Sequence, residues 1–221
     1  GAEGTTVIHN AAREPEIADL QQYLTSCGGK VRGAGTSRII IEGGHSLRGC
    51  CYTIMPDRIE AGTYLLAAAA TGGKIQVKNF NGSWLKKLCR MLKSAGCEVI
   101  AGTDHIRLKA PARLYPAGCL RTAPYPGFPT DLQPQFTAVM TRAAGETRVE
   151  ERVFESRFAF ARQLIKMGAD IEISSRIAII KGNDFLYGNR VAAPDLRGGA
   201  ALVLAGLMAC GRTVIEDVEH I

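Results

Sequence analysis

An α/β fold of repeated helix–strand–helix–strand–strand units, with helices inside and strands outside, is predicted by three observations. First, Asp57, Asp131 and Asp195 each follow a proline by one or two residues, and each opens an apolar, alanine-containing stretch that runs to a glycine (Gly73, Gly145, Gly211). Second, an amphipathic helix, a glycine and two strands recur over residues 15–42, 84–109 and 158–181, with Gly28, Gly96 and Gly168 in matching places. Both modules return about every 70 residues, the signature of a supersecondary repeat. Third, residues 64–70 and 200–208 are apolar almost all round, which places those helices inside.

The elements follow in order. Residues 5–9 alternate as a short strand. Glu14-Pro15-Glu16 opens a helix, with proline in its permitted first turn and acids at the positive end of the dipole. Ile17, Leu20, Tyr23 and Leu24 form its apolar stripe, and Cys27-Gly28-Gly29 ends it. Strands are expected over 30–33 and 38–42, the second a β-branched run that should be buried. Residues 43–52 are glycine-rich and break the rhythm. We therefore expect residues 1–55 to finish one domain and cross over, and residues 56–221 to form most of a second.

Bulk properties narrow the function. The 221 residues are 46% hydrophobic and 22% charged, enough to bury a core, and no apolar run nears the ~20 residues of a membrane span. Net charge of +6 suits an anionic partner. The basic residues are scattered without interleaved aromatics, which favours an anionic small substrate over nucleic acid. The seven cysteines are odd in number and lack metal spacing, so they read as free thiols, mostly buried, in a reducing cytoplasm, with no metal and no cofactor. No Walker loop, nucleophile elbow or dinucleotide fingerprint is present.

The most constrained stretch is Pro124-Tyr125-Pro126-Gly127-Phe128-Pro129-Thr130-Asp131-Leu132-Gln133. Three prolines and a glycine hold one non-helical course, after which Thr130 or Asp131 can cap a helix beginning at Leu132. Asp131 is either a structural cap or a positioned acid–base group.

This stretch, preceded by Thr122-Ala123, resembles the signature of the UDP-N-acetylglucosamine enolpyruvyl transferases (1-carboxyvinyltransferases). Residues 10–17, 56–63 and 153–158 and the Asp195-Leu196-Arg197 triplet agree with it, collinearly from about Thr5 to Ile221. The resemblance implies an inside-out α/β barrel of three such units per domain. It also implies transfer of enolpyruvyl from phosphoenolpyruvate to the 3′-hydroxyl of UDP-N-acetylglucosamine, with phosphate release, for peptidoglycan precursor synthesis. Such chemistry needs a base for the hydroxyl, an acid for the vinyl carbon and cations for carboxylate and phosphate.

By the same resemblance, Asp131 is the catalytic carboxylate that binds the attacking hydroxyl and takes its proton. Val153 is a backbone contact to the nucleotide sugar, with a core strand residue as its alternative. Arg197 and, with a weaker claim, Arg58 are substrate-binding cations, with salt bridges as the bland alternative. Glu155 and Arg157 read as a structural ion pair. Ser156 stands where the family has asparagine, and Gly198-Gly199 replaces a small Ala-Ser pair, which would loosen that helix start. None of the seven cysteines matches the family's catalytic cysteine on its glycine-rich loop.

The repeat begins and ends in mid-phase, so we expect a portion of a two-domain enzyme, inactive alone, whose partner is the missing N-terminal half. Self-association through exposed edges is a second partner expectation. Two alternatives stay open: a shikimate-pathway enolpyruvyl transferase, and a non-catalytic binding or structural domain of the same fold.

Overall fold

The computed structural model describes residues 2–220. The chain divides into two compact units, one comprising the residues up to Pro56 with Pro124–Pro126, the other Asp57–Ala123 with the residues from Gly127 onward.

In the first unit β1 (Thr5–His9), α1 (Pro15–Ser26), β2 (Lys30–Arg32) and β3 (Arg38–Glu42) follow one another, and the antiparallel sheet runs β1-β3-β2. Pro15 sits in the first turn of α1, as expected. The expected burial is not reached. Only Ile39 of β3 is buried, no residue of α1 is, and Leu20 and Tyr23 stand exposed. One helix on three short strands has too little covering surface to enclose both.

The second unit carries the repeat. Its first copy is α2 (Arg58–Ala70), β4 (Lys74–Lys78), α3 (Lys86–Ser94), β5 (Glu98–Ala101) and β6 (His105–Lys109), with sheet order β4-β6-β5. After β7 (Cys119–Arg121) comes the second copy: α4 (Gln133–Met140), β8 (Glu146–Glu150), α5 (Ala161–Lys166), β9 (Asp170–Ser174) and β10 (Ile177–Lys181). Its sheet runs β7-β8-β10-β9, so the last strand again lies in the middle. A third copy follows β11 (Leu186–Tyr187) and β12 (Arg190–Ala192), as α6 (Leu196–Met208), β13 (Ala209–Cys210) and β14 (Val214–Glu216).

The matching glycines share one cause. Gly28, Gly96 and Gly168 have φ of +93°, +92° and +90°, and each lies just beyond a helix. Each N–H, with that of the next residue, turns back onto the last carbonyls, as in Gly96 to Lys93 (3.0 Å) and Cys97 to Leu92 (2.9 Å). This closure needs a left-handed residue, which only glycine adopts without strain.

The helices that follow the aspartates lie inside the strands. All eight residues of α4 are buried, and α4 packs on α2 and α6. Ile106, Leu108, Val149, Ala178 and Ile180 turn inward from the strands to meet them. Each large apolar side chain so enclosed contributes about 1.5–3 kcal/mol. Tyr64, Val203 and Leu207 remain exposed, so α2 and α6 are enclosed on part of their circumference rather than all round. The cysteines split as well. Cys27, Cys89 and Cys97 are buried, but Cys51, Cys119 and Cys210 are exposed, contrary to the expected general burial. No helix of the described residues is long and apolar enough to cross a membrane.

Candidate functional site

The stiff stretch leaves β7 through two backbone bonds, Thr122 N–H to Glu150 O and Ala123 N–H to Phe128 O, both 3.0 Å. The Tyr125–Pro126 peptide is cis. Phe128 is buried edge-on against Phe136 of α4, their ring centres 5.6 Å apart, which anchors the chain before Pro129. A single 3₁₀ turn, Thr130–Leu132, then leads into α4.

That turn overturns the capping expectation. α4 starts at Gln133 with Leu132 at its N-cap, and neither Thr130 nor Asp131 caps it through a side chain. The equivalent aspartates do cap their helices. Asp57 accepts from the N–H groups of Ile59 (2.6 Å) and Glu60 (3.2 Å), and Asp195 from those of Arg197 and Gly198 (both 2.9 Å). Asp131 is therefore the one of the three whose carboxylate faces side chains.

Those side chains are two arginines. Arg157 Nη2 donates to Asp131 Oδ1 at 2.8 Å, and Arg197 Nη2 donates to Oδ2 at 3.2 Å. The Arg157 guanidinium also lies over the Phe154 ring, 4.8 Å from its centre, a cation–π contact that fixes its plane. Arg197 is launched from the first turn of α6 by the Asp195 cap. Gly198 beside it allows close packing rather than loosening the turn. A Cβ there would sit 2.7 Å from Pro194 Cγ and 3.1 Å from Phe160 Cβ. Arg157 thus pairs with Asp131 and not with Glu155, whose exposed carboxylate goes instead to Arg176 at 3.0 Å.

Behind the pair lies a carboxylate the sequence reading passed over. Glu151 is 1% exposed. Its Oε1 accepts from Thr122 Oγ1 (2.8 Å) and from the N–H groups of Val153 (2.8 Å) and Phe154 (3.0 Å), and its Oε2 accepts from Thr130 Oγ1 (2.9 Å). A signal was available. Thr147 and Val149 alternate inward along β8, and the same parity carried past the strand end points Glu151 inward.

Of the other anticipated residues, Val153 is 40% exposed in the loop after β8, which rules out the core strand alternative. Arg58 is 8% exposed in the first turn of α2. Asp131, Arg157 and Arg197 are brought together directly, and Val153 joins them through Glu151. On the rim, Arg152 and then Arg121 hold the Glu150 carboxyl below the usual carboxylate range. Among the described residues, no group of three or more His, Cys, Asp or Glu is placed to hold a metal ion.

Chemically, the arrangement offers a carboxylate able to accept from a hydroxyl, flanked by two guanidiniums. Each arginine gives Asp131 one of its nitrogens, and a guanidinium has five N–H donors with which to fork onto an anion.

The family model described as EPSP synthase (3-phosphoshikimate 1-carboxyvinyltransferase) matches residues 1–221. UDP-N-acetylglucosamine 1-carboxyvinyltransferase 2 of Caldanaerobacter subterraneus is 50% identical over 220 residues, covering 100% of this chain and 53% of that protein. UDP-N-acetylglucosamine 1-carboxyvinyltransferase of Finegoldia magna is 51% identical over 222 residues, covering 100% and 52%. Among solved structures, the enolpyruvyl transferase NikO from Streptomyces tendae superposes with a TM-score of 0.86 at 27% identity, covering 99% of this chain and 52% of that one. EPSP synthase from Acinetobacter baumannii shares the fold, with a TM-score of 0.72 at 22% identity and coverages of 99% and 53%. The chain spans about half the length of the relatives it matches.

Proposed function

The chain belongs to the EPSP synthase family of carboxyvinyltransferases, and we propose on that premise that it supplies about half of a UDP-N-acetylglucosamine 1-carboxyvinyltransferase. The observation that carries the proposal is the Asp131 carboxylate held between Arg157 and Arg197, in a chain about half identical to enzymes of that name. The substrates are phosphoenolpyruvate and UDP-N-acetylglucosamine. The partner is the segment that supplies the rest of the enzyme, and the compartment is the cytoplasm.

In this reading the 3′-hydroxyl of the amino sugar donates a hydrogen bond to Asp131, which takes its proton as the oxygen attacks the enolpyruvyl carbon. The vinyl carbon takes a proton from an acid that the rest of the enzyme supplies, giving a tetrahedral intermediate; loss of a proton from that carbon, with cleavage of the carbon–oxygen bond to phosphate, then restores the double bond. Arg197 forks onto an anionic substrate group where negative charge is present throughout. Val153 serves the nucleotide sugar through its carbonyl oxygen, since its N–H is already taken by Glu151. Arg58, largely buried, is the fourth substrate-binding residue of the proposal.

The test is phosphate release from phosphoenolpyruvate by the full-length enzyme, with UDP-N-acetylglucosamine or shikimate 3-phosphate as acceptor. Release with the first acceptor supports the proposal. Release with the second alone would transfer the chain to the shikimate reaction, and no release with either would leave a non-catalytic domain.

A further inference from the structure

We propose that Glu151 is a positioning residue that locks the turn carrying Asp131 to the loop carrying Val153 and Arg157. The proposal rests on the function assigned above and deepens it. A carboxylate is rarely sealed from water unless every lone pair it turns inward is matched. Here four donors converge on it from three separate segments: Thr122 after β7, Thr130 in the 3₁₀ turn, and the Val153 and Phe154 N–H groups after β8.

The consequences fall on the site. Thr130 immediately precedes Asp131, so its 2.9 Å bond to Oε2 fixes the height at which the catalytic carboxylate emerges. Phe154 lies beneath the Arg157 guanidinium, so its N–H bond to Oε1 sets the platform on which that cation rests. Thr122 completes the lock by donating to Glu151 while accepting from Arg152 N–H at 2.8 Å. Both partners of the Asp131–Arg157 pair are thus referenced to one buried group. A salt bridge drawn straight between them could not hold them in register with the substrate by itself, because Asp131 is only half-buried and screened.

Two ties imply two separable defects, which a purely stabilising role would not produce. In the full-length transferase, Thr130→Val cuts the tie to Asp131 alone, and it should lower kcat by about tenfold or more while the KM for UDP-N-acetylglucosamine stays within about twofold. Glu151→Ala cuts both ties and should lower kcat at least as far while raising that KM. Glu151→Gln should recover most of kcat, because the amide oxygen accepts where Oε1 does and the amide nitrogen can donate to Thr130 Oγ1. Folded Thr130→Val and Glu151→Ala variants with unchanged kcat and KM would overturn the proposal. Should Glu151→Ala fail to fold, Thr130→Val decides. Asp131→Ala run in parallel separates the two levels: if it keeps full activity, the function assigned to the site is wrong, and the lock falls with it.

Discussion

Asp131 and Asp195 occupy matching positions in successive repeats and make opposite use of their carboxylates. Asp195 caps α6 through the N–H groups of Arg197 and Gly198, both at 2.9 Å. Asp131 caps nothing and instead meets the guanidinium of Arg197 at 3.2 Å. The 3₁₀ turn Thr130–Leu132 makes the difference, because it moves the start of α4 to Gln133, with Leu132 and not Asp131 at the N-cap. One aspartate of the repeat therefore places the cation and another receives it.

Stability should rank the three aspartates. Asp57→Ala and Asp195→Ala each remove a cap with two N–H partners and should cost ~0.5–2 kcal/mol in denaturant unfolding. Asp131→Ala should cost less than about 1 kcal/mol, since it removes partly exposed ion pairs and no cap. Equal losses at all three positions would contradict the assignment.

Activity should respond to Arg197 in a way its charge alone does not explain. Arg197→Lys keeps the charge but loses the fork, and should raise the KM for an anionic substrate by roughly tenfold with little change in melting temperature. Asp195→Ala should show a milder form of the same defect, because it frees the backbone from which Arg197 projects.

Thiol labelling should divide the cysteines. Burial pushes the Cys89 and Cys97 thiols up to about 11, so they should resist a disulfide reagent at pH 8 until the chain unfolds. Cys51, Cys119 and Cys210 are exposed and should react first. Early labelling at Cys89 or Cys97, located by mass spectrometry, would contradict the packing of α3.

The rim ion pairs make a small pH-dependent contribution. Arg152 and Arg121 lower the folded-state pKa of Glu150, so its stabilisation is present above the unfolded carboxylate value and is lost as pH falls through the folded one. Glu150→Gln should therefore be less stable than the wild type at neutral pH, with the gap in urea midpoint closing under acid conditions. A gap that widens on acidification would contradict this.

The repeat was legible in the sequence because its punctuation has local causes. Gly28, Gly96 and Gly168 each answer a left-handed closure, and Asp57 and Asp195 each answer a helix start. Asp131 stands out for the same reason, yet the expectation of a cap fails there, since the signals of a cap and of a short 3₁₀ turn before a helix are alike at that range. Glu155 is the near neighbour of Arg157 in sequence, but the partner of Arg157 is Asp131, and nothing local reveals that residues 26 positions apart meet. Glu151 follows another acid, Glu150, in the sequence, and only the inward parity of Thr147 and Val149 marks it as a buried position. The shortfall of burial around α1 and β3 has no local signal, because an apolar stripe records what a helix can cover and not what is there to cover it.

The most direct measurement is phosphate release from phosphoenolpyruvate and UDP-N-acetylglucosamine by the full-length transferase, wild type against Asp131→Asn. Asparagine keeps the shape and the hydrogen-bond reach of Asp131 but cannot take a proton from the hydroxyl. A fall in kcat of about 10²-fold or more, with the fold intact, is the predicted result. An Asp131→Asn enzyme within about twofold of the wild type would contradict the role given to this carboxylate and, with it, the site.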